Sequence, residues 1–215
     1  MRLLTPATAA AHGVTRHQLL GPRFRRIFQG VYVDADVAPT LSVLVAAARL
    51  VVPGATVTGV TALRLRGASL GADSPVCLAT TQRVRRDGIT CVHRPATTPI
   101  ASLVEALDDA DLRLTDEVVT LDELRRLGMV RRTEADDLAA HRPHTWALSV
   151  PTSGSVRESR TRMLLITAGL PEPVVQFTVV SSSGRFVGRV DLALRAGGWR
   201  GRPPMLGAAW LAEVA

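Results

Sequence analysis

Two carboxylates in the C-terminal half are the residues best placed to do chemistry. Glu158 falls in the first turn of a helical stretch that opens Ser155-Val156-Arg157-Glu158, and Asp191 falls near the end of a strand-like run, Arg185 to Leu194. One acid on a helix and one on a following strand can share a hard cation. Mg²⁺ takes one or two protein carboxylates with phosphate and water, lowers the pKa of a bound water and stabilises a leaving oxygen. Each acid also has an ordinary explanation. Ser155 and Glu158 have the spacing of a capping box, in which the two side chains satisfy each other's backbone donors. Asp191 shares a strand face with Arg189 and Ala193, opposite Phe186, Gly188, Val190 and Leu192, in a segment apolar enough to be partly buried. A carboxylate there needs either an arginine or a metal as partner.

The elements that must hold these acids are a helix ending at Gly169, with Val156, Met163, Leu164, Ile166 and Leu170 buried and Arg157, Arg160 and Arg162 around its polar side, then a hairpin of Val174–Val180 and Arg185–Leu194 across a Ser/Gly turn. The stretch ESRTRMLLITAGLPEPVVQFTVVSSSGRFVGRVDLAL resembles the endonuclease-like domain related to very-short-patch-repair nucleases, a restriction-endonuclease-like α/β fold. The resemblance implies that Glu158 and Asp191 are the catalytic, Mg²⁺-binding acids. It also implies a further strand bearing a second acid, in a phrase like V-A-V-E-Y-D-G. After Leu194 the resemblance stops: residues 195–215 read as a divergent tail rich in glycine, proline and tryptophan, with Glu213 as its one acid. No lysine is present to complete a PD-(D/E)-x-K pattern. The expectation is therefore an incomplete nuclease-like domain over 155–194 that has lost activity, its tail the product of a frameshift or degeneration, its last strand left with an exposed edge open to self-association. The alternative is a Mg²⁺-dependent DNA endonuclease in which a partner subunit or Glu213 completes the site.

A second set of functional candidates lies at the N-terminus. Thr5-Pro6 starts a short helix that stops near Gly13, Thr15 caps a second over RHQLL, and Phe24 to Val33 reads as a hairpin turning at Gln29-Gly30. Helix, glycine turn, helix and hairpin is the order of a winged helix-turn-helix, here over residues 1–37. In that fold the second helix enters the major groove and the hairpin touches the backbone. Arg16 and His17 would open the recognition helix, with Arg23, Arg25 and Arg26 on or before the wing as phosphate contacts. The plainer alternative is a solvated basic hairpin packed on its neighbour. GVTRHQLLGPRFRRIFQGVYV resembles the N-terminal domain of AbiEi-type antitoxins, in which a short winged helix ends in a similar R-x-x-R-G-V-Y phrase. Fusion of such a domain to the nuclease-like one is frequent in actinobacterial proteins. The two resemblances together imply DNA as partner, a cognate toxin as a second candidate partner, and a protein of antitoxin or regulator type.

Between these ends, residues 38–141 read as an α+β middle region. LSVLVAAARLVV is an apolar helix ended by Pro53-Gly54, and Thr58 caps the next. PVCLAT and GITCVHR read as a strand pair joined by TQRVRRDG, a basic hairpin tip carrying Arg83, Arg85 and Arg86 that is either a solvated loop or a further nucleic-acid contact. Cys77 and Cys91 lie on these strands as reduced thiols, the other readings being a disulfide or part of a metal site; Cys91 and His93 alone are too few for zinc. Helices follow over Ile100 to Asp108, Thr115 to Leu127, and after a Thr133 cap. The acids Asp108, Asp109, Asp111, Asp116, Glu117, Asp122 and Glu123 read as first-turn carboxylates that stabilise helix starts rather than as metal ligands. Residues 142–154 read as a linker, with Pro143 keeping His141 and His144 as loop residues.

Composition limits the alternatives. The chain has 215 residues and a net charge of +7, with arginine as the whole of its Lys+Arg content. Part of that bias is expected of a GC-rich genome, and the rest favours a polyanionic partner. Without lysine a P-loop is impossible, and no G-x-S-x-G elbow occurs. The longest apolar run, Leu41 to Val52, contains Arg49 and is shorter than the roughly 20 residues a bilayer requires. A cytoplasmic protein of mixed α/β class is expected, with no membrane partner.

Overall fold

Thr5 and Thr15 start the first two helices. In the computed structural model, which describes residues 2–194, each forms a reciprocal capping box, Thr5 with Thr8 in α1 (Pro6–Ala11) and Thr15 with Gln18 in α2 (Arg16–Leu19). β1 (Leu3–Leu4), β2 (Phe24–Phe28) and β3 (Val31–Asp34) make an antiparallel sheet in the order β1-β3-β2. Gly30, at φ +80°, takes the left-handed position that the tight β2–β3 turn requires. Leu4, Ala9 and Leu19 are buried beneath the two helices, with Val14, Phe24 and Tyr32 against them.

Thr40 caps α3 (Leu41–Val51). A second sheet, in the order β4-β5-β6, contains β4 (Thr56–Val57), β5 (Val76–Thr80) and β6 (Ile89–His93). Here the sequence expectation is corrected, because β5 and β6 run parallel, from Val76 beside Ile89 to Thr80 beside His93. Alternation of apolar and polar residues has the same period in either direction, so it carries no information on strand polarity. The eight-residue loop 81–88 folds back along β5, and its Gly88 carbonyl accepts from the Val76 N–H at 2.8 Å. Cys77 lies across from Thr90 and Cys91 from Leu78, and both thiols are free. Burial, with Cys77 nearby, pushes the Cys91 thiol above its usual pKa.

α4 (Gly59–Leu65) and α5 (Leu103–Ala110) pack through Ala62, Leu63, Leu103, Ala106 and Leu107, all essentially inaccessible. One cap and one helix start differ from expectation. The Thr58 hydroxyl donates to Asp109 at 2.5 Å instead of capping α4, and α5 is capped by Ser102, with Ile100 bridging to Val57 ahead of it. Arg94 holds Asp109 at 2.6 Å and also pairs with Glu105. α6 (Leu114–Arg126) belongs to a separate unit and interrupts this one. α7 (Arg132–His141) follows it, starting one residue before Thr133, where the Glu134 carboxylate accepts from the Arg131 backbone N–H at 3.0 Å. Glu134 also pairs with Arg66 at 2.8 Å, and Arg142 pairs with Asp108. Met1–Leu112 with Met129–Pro143 thus form one compact unit.

The other unit is formed by Arg113–Gly128 with the chain from His144 onward. It holds α6, most of α8 (Pro143–Leu148), α9 (Val156–Thr167), and the antiparallel pair β7 (Val174–Val180) and β8 (Phe186–Ala193). The 142–154 stretch, expected as a linker, therefore carries a helix. Pro143 opens it, since proline's missing N–H costs nothing at a helix start, and Thr145, Ser149 and Ser153 are buried behind it. On α9 the expected faces also change: Leu164 is 61% exposed, whereas Arg162 is fully buried. Arg162 pairs with Asp122 of α6 at 2.9 Å, and Asp122 also accepts from the Val150 N–H at 2.6 Å. Asp122 and Glu123 are thus mid-helix, buried acids, not helix-start acids like Asp116 and Glu117. Glu117 accepts from Thr145 at 3.0 Å, and Arg125 stacks on Trp146 at 4.2 Å while donating to the Ser149 carbonyl. Val118, Val119 and Met163 close the apolar part, with Leu148, Val156 and Ile166 around them.

Two predictions follow from these pairs. Asp122→Ala leaves the Arg162 charge buried and should cost about 3–5 kcal/mol in urea unfolding, whereas Asp122→Leu with Arg162→Met should recover most of that loss; an Asp122→Ala protein of unchanged stability would refute the role assigned to the pair. The Ser102 backbone N–H, chiefly, and Arg94 hold the Glu105 carboxyl below its ordinary pKa despite partial burial. The unfolded chain therefore takes up that proton first as the pH falls. The stabilisation is complete above the usual glutamate range and is lost on acidification through the lowered value, so acid unfolding should be shallower in Glu105→Gln.

Candidate functional site

Ser155 fixes the first candidate locally. Its hydroxyl accepts from the Glu158 N–H at 3.2 Å and donates to Glu158 Oε1 at 3.1 Å, which draws the carboxylate back over the N-terminus of α9. Glu158 Oε2 then accepts from the Gly154 N–H and from Gln176 Nε2, both at 2.8 Å. Gly154 is needed for this seat: a β-carbon there would lie 2.9 and 3.0 Å from the two carboxylate oxygens. The seat joins three segments, the turn before α9, α9 itself and β7.

Gln176 is the residue that sequence reasoning missed. It is half-buried, with φ +52°, one of two non-glycine residues in the left-handed region among those described. The β7–β8 ladder pairs Val175 with Leu192 and Phe177 with Val190, which leaves Gln176 level with Asp191. The ladder therefore puts Asp191 at the register position opposite Gln176. The one signal in the sequence was a lone amide in a mostly apolar strand, VVQFTVV.

Asp191 itself departs from expectation. It is exposed rather than partly buried, and it makes no ion pair or hydrogen bond among the described residues. Among those residues β8 pairs only with β7, and the Asp191 side chain lies open to water.

As arranged, these acids do not fit Mg²⁺. The ion needs carboxylate lone pairs turned toward it, but three donors, two of them on Oε2, engage the Glu158 carboxylate, and the exposed Asp191 has no second acid converging on it. Among the described residues no group of three or more His, Cys, Asp or Glu side chains is placed to hold a metal. Glu213, with the rest of 195–215, lies outside the described residues.

The basic candidates of the N-terminal unit form a different kind of site. Arg16 and His17 are the first two residues of α2, and Arg23, Arg25 and Arg26 lie before and along β2; all five are exposed. Arg25 reaches the Val37 carbonyl at 3.5 Å, and the Arg23 guanidinium lies 5.3 Å from the Phe24 ring centre. None of the four arginines makes an ion pair among the described residues, in contrast to Arg66, Arg94, Arg131 and Arg142 of the same unit. A β-bulge at Ile27 breaks the strict alternation of β2 beside Arg26.

No family model matches the chain, and neither a curated protein nor a solved structure matches it.

The Glu158 seat predicts a structural role that can be measured. Glu158→Ala should lose about 0.5–2 kcal/mol in urea unfolding, and Gly154→Ala should lose a comparable amount. Glu158→Gln should stay near wild type, since a glutamine can also close the cap. Full stability of Glu158→Ala would sink this reading.

Proposed function

We propose that the chain is a DNA-binding protein of antitoxin or regulator type, in which residues 1–37 act as a winged helix-turn-helix and the C-terminal unit is a nuclease-like domain without activity. The observation that carries the proposal is the division among arginines. Those that build the N-terminal unit are tied to carboxylates, whereas Arg16, Arg23, Arg25 and Arg26 are exposed and unpaired on consecutive short elements. Such charges are available to phosphates, and releasing counterions from DNA gives a salt-dependent affinity. The order β1, α1, α2, β2, β3 supports the same reading, with α2 as the helix for the groove and β2–β3 as the wing. Among the described residues, no helix is long and apolar enough to cross a membrane.

The three donors already on the Glu158 carboxylate, two of them filling Oε2, support loss of activity over the Mg²⁺-dependent endonuclease reading. Exposed Phe186, Val187 and Val180 on the β7–β8 pair support self-association, or a toxin partner, as the use of that surface.

Duplex binding should fall steeply with salt, and Arg25→Ala/Arg26→Ala should lower the slope of log affinity against log salt by about 2. Salt-insensitive or absent binding would sink the proposal. In the same preparation, plasmid nicking with Mg²⁺ should be absent. Metal-dependent nicking that disappears in Asp191→Ala would put the enzyme in place of the inactive domain.

A further inference from the structure

The loop 81–88 presents Arg83, Arg85 and Arg86 to solvent, with Asp87 as its one acid, and none of the three arginines is in an ion pair among the described residues. In a hairpin this tip would project away from the sheet. The parallel pairing of β5 and β6 instead makes the loop reverse within eight residues, a short span for a parallel connection. Backbone bonds pin the reversal: the Ile89 N–H donates to the Arg86 carbonyl at 3.1 Å, the Val76 N–H to Gly88, and the Gln82 N–H to the Thr80 hydroxyl at 3.2 Å.

The reversal brings the loop against the β2–β3 hairpin. Gly88, at φ +78°, sits on the ring of Phe28, where a β-carbon would come within 3.0 Å of Cε1. Asp87 shares one shallow cleft with Arg26, Ile27, Phe28 and Gln29 at the hairpin tip. We infer that the loop 81–88 and the β2–β3 hairpin form one continuous surface for the phosphate backbone of duplex DNA, in which Arg83, Arg85 and Arg86 extend the contact begun by Arg26.

The chemistry of the surface selects this partner. A single strand is usually held by bases stacked on exposed aromatic rings, but Phe28 is buried under Gly88 and Tyr32 is half-buried in the sheet. The charged groups that remain exposed are guanidinium in excess over the single Asp87 carboxylate, and guanidinium recognises phosphate through paired N–H donors and reads no base from a backbone position. The loop should therefore add affinity without adding sequence preference.

This inference rests on the DNA-binding reading above, and the test separates the two. The full chain, Arg25→Ala/Arg26→Ala, Arg83→Ala/Arg85→Ala/Arg86→Ala, and Gly88→Val are titrated with duplexes of two unrelated sequences over a range of salt. The triple variant should bind both duplexes at least about tenfold more weakly at low salt, with a salt slope smaller by about 2 to 3. Gly88→Val removes no charge but displaces the loop from Phe28, and it should weaken binding with less change in slope. If the triple variant binds like wild type while Arg25→Ala/Arg26→Ala is impaired, the continuous surface is overturned and the DNA-binding proposal stands. If the wild-type chain binds no duplex, both fall. The triple variant alters only exposed side chains, so it decides the question even where Gly88→Val fails to fold.

Discussion

Asp122 cannot be buried in α6 without a cation beside it, and Arg162 is the cation the fold supplies. Desolvating either group alone costs several kcal/mol, so neither α6 nor α9 can settle with these side chains inside unless the other is present. The same carboxylate takes the Val150 N–H, which ties the turn after α8 to the pair. Glu172 reaches Arg162 from the chain leading into β7. One buried charge pair therefore connects helix, turn, helix and strand. The remaining Arg162 Nε finds no partner among the described residues, so the pairing is incomplete and gains little for stability beyond fixing this arrangement.

Glu158 shows how position and availability differ. Gln176 is bonded to Glu158 and lies level with Asp191 in the β7–β8 register, and the donors around Glu158 leave it acting as a cap. Three of the roughly four lone-pair sites of the Glu158 carboxylate are already taken, including both on Oε2, so little of it is left for a metal. The glycine at 154 permits that closure by leaving room for both oxygens. The same competition between structural and functional use divides the arginines of the other unit. Arg66, Arg94 and Arg142 are consumed in joining α4, α5, α7 and the end of β6, and among the exposed arginines without an ion pair are those on α2, on the β2–β3 hairpin and on the loop after β5. The proposed DNA surface consists of what the packing does not use.

The local signals were sufficient where a residue acts on its own neighbours. Thr5, Thr15 and Ser155 cap the helices they were read to cap, Gly30 makes its turn, and Leu41–Val51 and the β7–β8 strands lie where their periodicity puts them. These features depend on contacts within a few residues, which a sequence displays directly. The mixed α/β class was legible for the same reason. Tertiary structure alone decided which residues would be used against that local grain. Strand alternation could not show that β5 and β6 are parallel. Helical spacing put Arg162 outside and Leu164 inside, and the reverse holds because Asp122, forty residues earlier in the chain, gives Arg162 a buried partner. Thr58 gave up its capping role to Asp109 fifty-one residues away, and Glu158 acquired Gln176 from a strand eighteen residues on. In each case the deciding partner is distant in sequence, and only folding brings its charge or hydrogen-bonding group within reach.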